Sequence, residues 1–209
     1  MTIANVSGIE TIIAAFFTGI VGPIIVMLIT HYMEKRKKNH DMLKEACEIG
    51  KMVSAKIDDI KEEFEADRVF VIQFHNGGHF YPTGKSIAKF SMFYESVTAD
   101  AISIQSNFQN IPVNLFNKSI NELLENDIIA IPDYKDETIA TFGLKYIAET
   151  SGCKSGYLFA IRNIDGKFVG ILGIDFTTQT ANLDEDIINE LTNRATAIGG
   201  VLMNHLTYK

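Results

Sequence analysis

The sequence predicts an α+β domain carried behind a single N-terminal transmembrane helix. Two runs point to this most directly. Thr11 to Thr30, "TIIAAFFTGIVGPIIVMLIT", contains no charged side chain. "GYLFAIRNIDGKFVGILGIDFT" is two β-rich stretches joined by Asn163-Ile164-Asp165-Gly166. Between and around them, strand-like runs alternate with amphipathic segments whose apolar residues recur three or four apart. At 209 residues the chain has room for one ordinary domain and an appendage.

The apolar run is long enough, as a helix rising about 1.5 Å per residue, to cross the hydrocarbon core of about 30 Å. A secretory signal would need a basic start and a small-residue cleavage site. Met1 to Glu10 holds no Lys or Arg, whereas Lys35, Arg36, Lys37 and Lys38 follow the run. A retained helix spanning residues 11–32 is therefore expected. Residues 1–10 form a short extracytoplasmic tail, 33–42 a basic juxtamembrane linker, and 43–209 a cytoplasmic domain. The positive-inside rule sets this orientation, in a cell inner membrane, with the basic cluster as its topology determinant and the lipid bilayer as partner. Gly19, Gly22 and Pro23 permit a kink.

"DMLKEACEIGKMVSAKIDDIKEEFEADRV" carries Ala46, Ile49, Val53, Ile57, Ile60 and Phe64 on one helical stripe. The stripe can pack on its own domain or pair two anchored copies as a coiled coil, so a homodimer is expected. Val69 to Phe74 reads as a strand. Ser86 to Val97 reads as a second strand, or a strand entering a helix. Helical material is expected from about Ala99 to Glu125, interrupted near Pro112. "DIIAIPD" is a short strand stopped by Pro132, and "TIATFGLKYIAETSG" is a helix closed by Gly152. The Asp165-Gly166 pair supplies the left-handed positions of a tight hairpin turn. The last helix is expected to start on Asn182 as N-cap, with Glu185 completing a capping box.

Composition excludes some functions. The net charge of −7 offers no basic face for nucleic acid, so no nucleic-acid partner is expected. Cys47 and Cys153 lie far apart without metal-ligand spacing and read as reduced, buried thiols.

In this order the elements resemble a GAF domain, a relative of PAS, over about Leu43 to Leu206. The resemblance rests on "ADRVFVIQFHNG" entering the first strand, on "YLFAIRNIDGKFVGILGID" as the last two strands, and on the closing helix packing beside the first. Together with the membrane helix, the chain also resembles small bacterial or phage membrane proteins carrying a "QFHNG" element. A GAF resemblance implies an antiparallel sheet of five or six strands, with helices on one face and a pocket on the other. It implies a sensory module that binds a cyclic nucleotide, tetrapyrrole, metabolite or iron centre, or a dimerising spacer that binds nothing. The phosphodiesterase-type nucleotide signature, a phytochrome-like attachment cysteine and the three cysteines of the methionine sulfoxide reductases are missing. The cofactor is thus unknown. No cyclase or kinase pattern follows the last helix, so any signal is expected to pass to a separate protein partner.

"VIQFHNGGHFYPTG" (Val71 to Gly84) is the most chemical stretch. Asn76-Gly77-Gly78 is expected to turn the chain there. His75 and His79 are weak metal candidates, since they lack a third ligand nearby. Catalysis would need a nucleophile beside a base, and Ser86, Ser91 and Glu95 form no such set, so no enzyme is expected. A small metal-dependent enzyme using the two histidines is the alternative. As a pocket rim, His75, Asn76, Tyr81 and Lys85 could supply polar groups. Phe74, Phe93, Tyr157, Phe159 and Phe176 could supply aromatic walls.

Overall fold

The computed structural model describes residues 3–38, 42–80, 82–136 and 142–206. The chain divides into two compact units, Met1–Lys44 and Glu45–Lys209.

The first unit is helical. Helix α1 (Ile3–Phe16) passes through a π-helical turn, Phe17–Val21, into α2 (Gly22–Lys38). The wide turn has a local cause. Pro23 has no N–H to donate and its ring would strike the carbonyl of Gly19, so the ladder opens by one residue and Gly22 N–H bonds the Phe17 carbonyl. Ile13–Met33 is long and apolar enough to cross a membrane, with a mean hydropathy of 2.3 and none of its residues buried. Inside it, the Thr18 and Thr30 hydroxyls donate to the carbonyls of Ala14 and Val26 at 2.8 Å, so neither leaves a polar group bare.

The second unit opens with α3 (Met42–Glu63). Six strands follow: β1 (Arg68–His79), β2 (Ser86–Val97), β3 (Ile111–Pro112), β4 (Ile128–Ile131), β5 (Ser155–Arg162) and β6 (Phe168–Phe176). They form one sheet in the order β3-β2-β1-β6-β5-β4, and every neighbouring pair is antiparallel. Helices α4 (Asn117–Asn126) and α5 (Phe142–Ser151) lie in sequence between β3 and β5, and α6 (Glu185–Leu206) closes the chain.

Strand alternation sorts side chains to two cores. On one face Val69 and Val71 of β1, Tyr157, Phe159 and Ile161 of β5, and Leu172 and Ile174 of β6 meet Ile49, Val53, Ile57 and Ile60 of α3. Leu191, Ala195 and Ile198 of α6 complete this layer. The α3 stripe is therefore spent inside its own domain. On the other face Phe70, Ile72, Phe90, Met92, Leu158 and Ile171 meet Ile120 and Leu123 of α4 and Leu144 of α5.

The β5–β6 hairpin turns where the Asp-Gly pair predicts. Gly166 takes φ +74° and donates to the Asn163 carbonyl, while the Asn163 side chain accepts the N–H groups of Asp165 and Lys167. The α5 helix ends at Ser151 before Gly152, as expected.

Three expectations are corrected, and one left open between two readings is decided. The β1–β2 turn is not at Gly77-Gly78: the ladder runs on to His79↔Ser86 through an irregularity after Asn76, and Phe80, Gly84 and Lys85 close the hairpin. Ser86–Val97, read as a strand or as a strand entering a helix, is strand throughout, the first of the two readings. The stretch before α4 is not helical beyond the short 3-10 turns Gln105–Asn107 and Val113–Phe116. It is pulled out of helix because its polar groups bond β2: Met92 N–H donates to the Phe108 carbonyl, and the Glu95 carboxylate accepts Ile104 N–H at 2.8 Å, Gln105 N–H at 3.2 Å and the Ser103 hydroxyl. Finally, α6 starts on Asp184, whose carboxylate accepts Ile187 N–H at 2.9 Å. Asn182 cannot cap it, because Ala181 and Leu183 on either side donate their N–H groups to Ser155 and Tyr157 and hold the chain against β5.

Candidate functional site

The sheet face away from α3 and α6 encloses a cavity of about 60 Å³. Phe70 and Ile72 come from β1, Phe90 and Met92 from β2, Leu158 from β5, and Ile171 from β6. Opposite them stand Ile120 and Leu123 of α4 and Leu144, Ile147 and Ala148 of α5. Ile104, Phe108 and Phe116 close the side. These are strand residues of one parity facing the apolar stripes of two helices, which is why the lining is almost wholly hydrocarbon and aromatic.

Apart from Ser119, the polar lining gathers at one end: Tyr134, Ser151, Cys153 and Asp175. Its organiser is Arg68, which has no exposed surface. Arg68 Nε and Nη2 donate to Asp175 Oδ2 at 2.8 and 2.6 Å, Nη1 donates to the Ile102 carbonyl at 2.7 Å, and Nη2 reaches Ser151 Oγ at 3.2 Å. One guanidinium thus ties β1 to β6, to the end of α5 and to the segment flanking the cavity. The planar fork suits this, since it presents several donors in fixed directions. Burial pushes the Asp175 carboxyl above its ordinary value, against the opposing pull of Arg68.

Gly156 makes room for the remaining groups. A Cβ there would lie 2.7 Å from Tyr134 Oη and 3.0 Å from Asp175 Oδ1, so both oxygens occupy the space of its missing side chain. Burial raises the Tyr134 hydroxyl well above its usual range, with Asp175 and Cys153 adding to it. The Cys153 thiol donates to the Ser155 carbonyl at 2.9 Å, and burial, then the Asp175 charge, push its ionisation up. It is a poor nucleophile, because the thiolate is the reactive form. The cavity is thus an apolar chamber with a charge-neutral polar end.

The site residues named from sequence lie elsewhere. Tyr157, Phe159 and Phe176 are buried in the layer under α3 and α6, where Tyr157 Oη donates to the Ala181 carbonyl at 2.9 Å. Phe74 packs edge-on to Phe168, ring centres 4.8 Å apart, on the cavity's side of the sheet but not in its lining. His75 faces the other way: Nε2 lies 2.9 Å from Ser91 Oγ, and its ring meets the half-exposed Phe93 at 6.2 Å. Asn76 and Lys85 are exposed along the β1–β2 hairpin. Tyr81 lies outside the described residues. His75 and His79 lie on one strand with an irregularity between them. Among the described residues no cluster of three metal-binding side chains occurs. Cys47 is exposed, not buried as expected.

Sequence reasoning passed over Arg68, Tyr134, Ser151, Gly156 and Asp175. A signal was present for two of them. Arg68 heads "RVFVIQF" and Asp175 sits inside "GILGIDFT"; a charge within a strand buried on both faces needs a partner.

No protein-family model matches the sequence, and no curated protein matches it. Solved structures do. The GAF domain of PixJ from Thermosynechococcus elongatus, in its blue-light-absorbing form, superposes with a TM-score of 0.61 at 15% identity, covering 81% of this chain and 92% of that one. A GAF domain from Synechocystis in its photoproduct state gives 0.58 at 16% identity, covering 75% and 94%. The GAF domain region of a candidate membrane protein from Geobacter sulfurreducens gives 0.58 at 14% identity, covering 78% and 99%. At these identities the likeness is one of fold: the second unit has a GAF-like fold.

Proposed function

We propose that this protein is a membrane-anchored, non-enzymatic sensory module whose GAF-like domain takes a small ligand into the cavity between the sheet and helices α4 and α5. The observation that carries this reading is the cavity itself, an apolar chamber whose polar groups converge at one end, the arrangement small-molecule sites use. Its volume of about 60 Å³ admits a ligand of a few heavy atoms, far short of a tetrapyrrole. Within the lining, the Cys153 thiol is held protonated by burial and Asp175 is locked to Arg68, which favours binding over catalysis.

Residues 11–32 would span the membrane, with 1–10 outside, 33–42 as a basic linker and 43–209 in the cytoplasm. The exposed apolar helix and the run Lys35, Arg36, Lys37, Lys38 support this orientation. Dimerisation, if it accompanies signalling, falls to surfaces other than the α3 stripe, because that stripe is already buried. The signal would pass to a separate protein. The small cavity also favours a second reading, a ligand-free membrane adaptor or phage-encoded envelope modulator.

Native mass spectrometry and thermal-shift screening of the full chain in lipid nanodiscs separate the two. The sensory reading expects a metabolite of a few heavy atoms to bind and raise the unfolding temperature. An empty protein that nothing in the panel stabilises, and that repeatedly co-purifies with one protein, supports the adaptor.

A further inference from the structure

Given that the cavity is a ligand site, the geometry points to a neutral ligand: a compact alcohol or primary amide, with its hydroxyl or amide held between Tyr134 Oη and Asp175 Oδ1 and its hydrocarbon body against Ile120, Leu158 and Ile171. The charge argument comes first. Asp175 is the one ionisable carboxylate in the lining, and Arg68 already neutralises it from behind at 2.6 Å. An anion would face the Asp175 oxygen with no cation of its own. A cation would give up its hydration for a carboxylate that is already paired. Either leaves a buried charge uncompensated.

The second observation is a pair of oxygens that converge on one point and keep hydrogen-bonding capacity. Both Arg68 bonds fall on Asp175 Oδ2; the carboxylate also engages the Cys153 thiol, and its Oδ1 lies beside Gly156. Tyr134 Oη, enclosed beside it, has no hydrogen-bond partner among the described residues. Both oxygens crowd the same point, within 3.0 Å of where a Gly156 side chain would begin. One acceptor next to one donor matches a group that both donates and accepts, as a hydroxyl or a primary amide does. The volume sets the rest: about 60 Å³ holds roughly five water-sized spheres, the size of butanol or butyramide.

The test uses the full chain in lipid nanodiscs with ¹³C-labelled Ile and Leu methyl groups. Xenon reports whether the cavity is accessible at all. 1-Butanol and butyramide are the neutral probes; butyrate and butylammonium are their charged isosteres. The expected result is saturable movement of the Ile120, Leu123 and Ile171 methyls with xenon and both neutral probes, and binding at least tenfold weaker for both ions. Tyr134→Phe should weaken butanol about tenfold and leave xenon unchanged, the loss of one hydrogen bond in an intact cavity. Should that variant fail to fold, the comparison of neutral with charged probes decides alone. Xenon binding without butanol, or butyrate binding as well as butanol, overturns the neutral-ligand assignment and leaves the cavity reading standing. No response to xenon overturns both.

Discussion

Asp175→Asn should be among the most damaging isosteric changes available in this protein. The substitution keeps the shape of the side chain and removes its charge. Arg68 is then left fully buried with two weak amide contacts where it had two charge-assisted bonds at 2.6 and 2.8 Å. Removing one partner of a buried pair costs about 3–5 kcal/mol, because the other charge stays behind uncompensated. For a domain of this size that lowers the unfolding temperature by roughly 6–20 °C. Replacing both residues, Arg68→Met with Asp175→Leu, removes the stranded charge. It still leaves the Ile102 carbonyl and the Ser151 hydroxyl without their donor, at about 1 kcal/mol each. The double variant should therefore be more stable than Asp175→Asn, by about 1–3 kcal/mol. Far-UV circular dichroism in urea is the assay, since the chain contains no tryptophan to follow by fluorescence. A loss below about 1 kcal/mol for Asp175→Asn, or a double variant as unstable as the sum of its singles, would refute the assignment of Arg68 as the organiser of this end of the cavity.

Three further outcomes are expected. Gly156→Ala should cost about 1–3 kcal/mol, because its Cβ would meet Tyr134 Oη at 2.7 Å and the Tyr134 backbone is anchored by its N–H to the Lys154 carbonyl; unchanged urea midpoints would count against the packing described. Burial alone would raise the Asp67 carboxyl, but the N–H groups of Thr177 and Thr178 and the Thr178 hydroxyl outweigh it and hold the group below its ordinary value. Its stabilisation is thus present above the unfolded value of about 3.9 and lost as pH falls through the lower folded one, so Asp67→Asn should destabilise by about 1–3 kcal/mol at pH 7 and flatten the acid limb of a stability–pH curve, whereas parallel curves would contradict this. For topology, the exposed Cys47 should resist a membrane-impermeant maleimide in intact cells and react after lysis; labelling of intact cells would reverse the proposed orientation.

Much of the fold was legible because it depends on local chemistry. Asp165-Gly166 named its hairpin through turn geometry, and the stripes of α3 and α6 named the helical layer through their period. The expectations that failed share a cause: a distant group outbid the local signal. Gly77-Gly78 looked like a turn, yet β2 continues the ladder past it and the Lys89 side chain lies across Gly77. The stretch from Ala99 looked helical, yet Glu95 and Met92 of β2 take up its polar groups. The site was less legible for the same reason. Arg68 and Asp175 stand 107 residues apart, and nothing near either one in sequence says that the other answers it. His75 drew attention by its chemistry, but strand parity turns it to the face opposite the cavity.

The central claim is that ligand is received by the cavity rather than by the β1–β2 hairpin, and one methyl group reports on it. Met92 lines the cavity at 1% exposure, while Met52 is exposed on α3 and Met27 and Met33 lie on the apolar helix. In ¹³C-methyl methionine spectra of the full chain in nanodiscs, a metabolite that stabilises the protein should shift Met92 saturably and leave Met52, Met27 and Met33 in place. If every stabilising metabolite leaves Met92 unmoved, or none in the panel binds, the claim is contradicted.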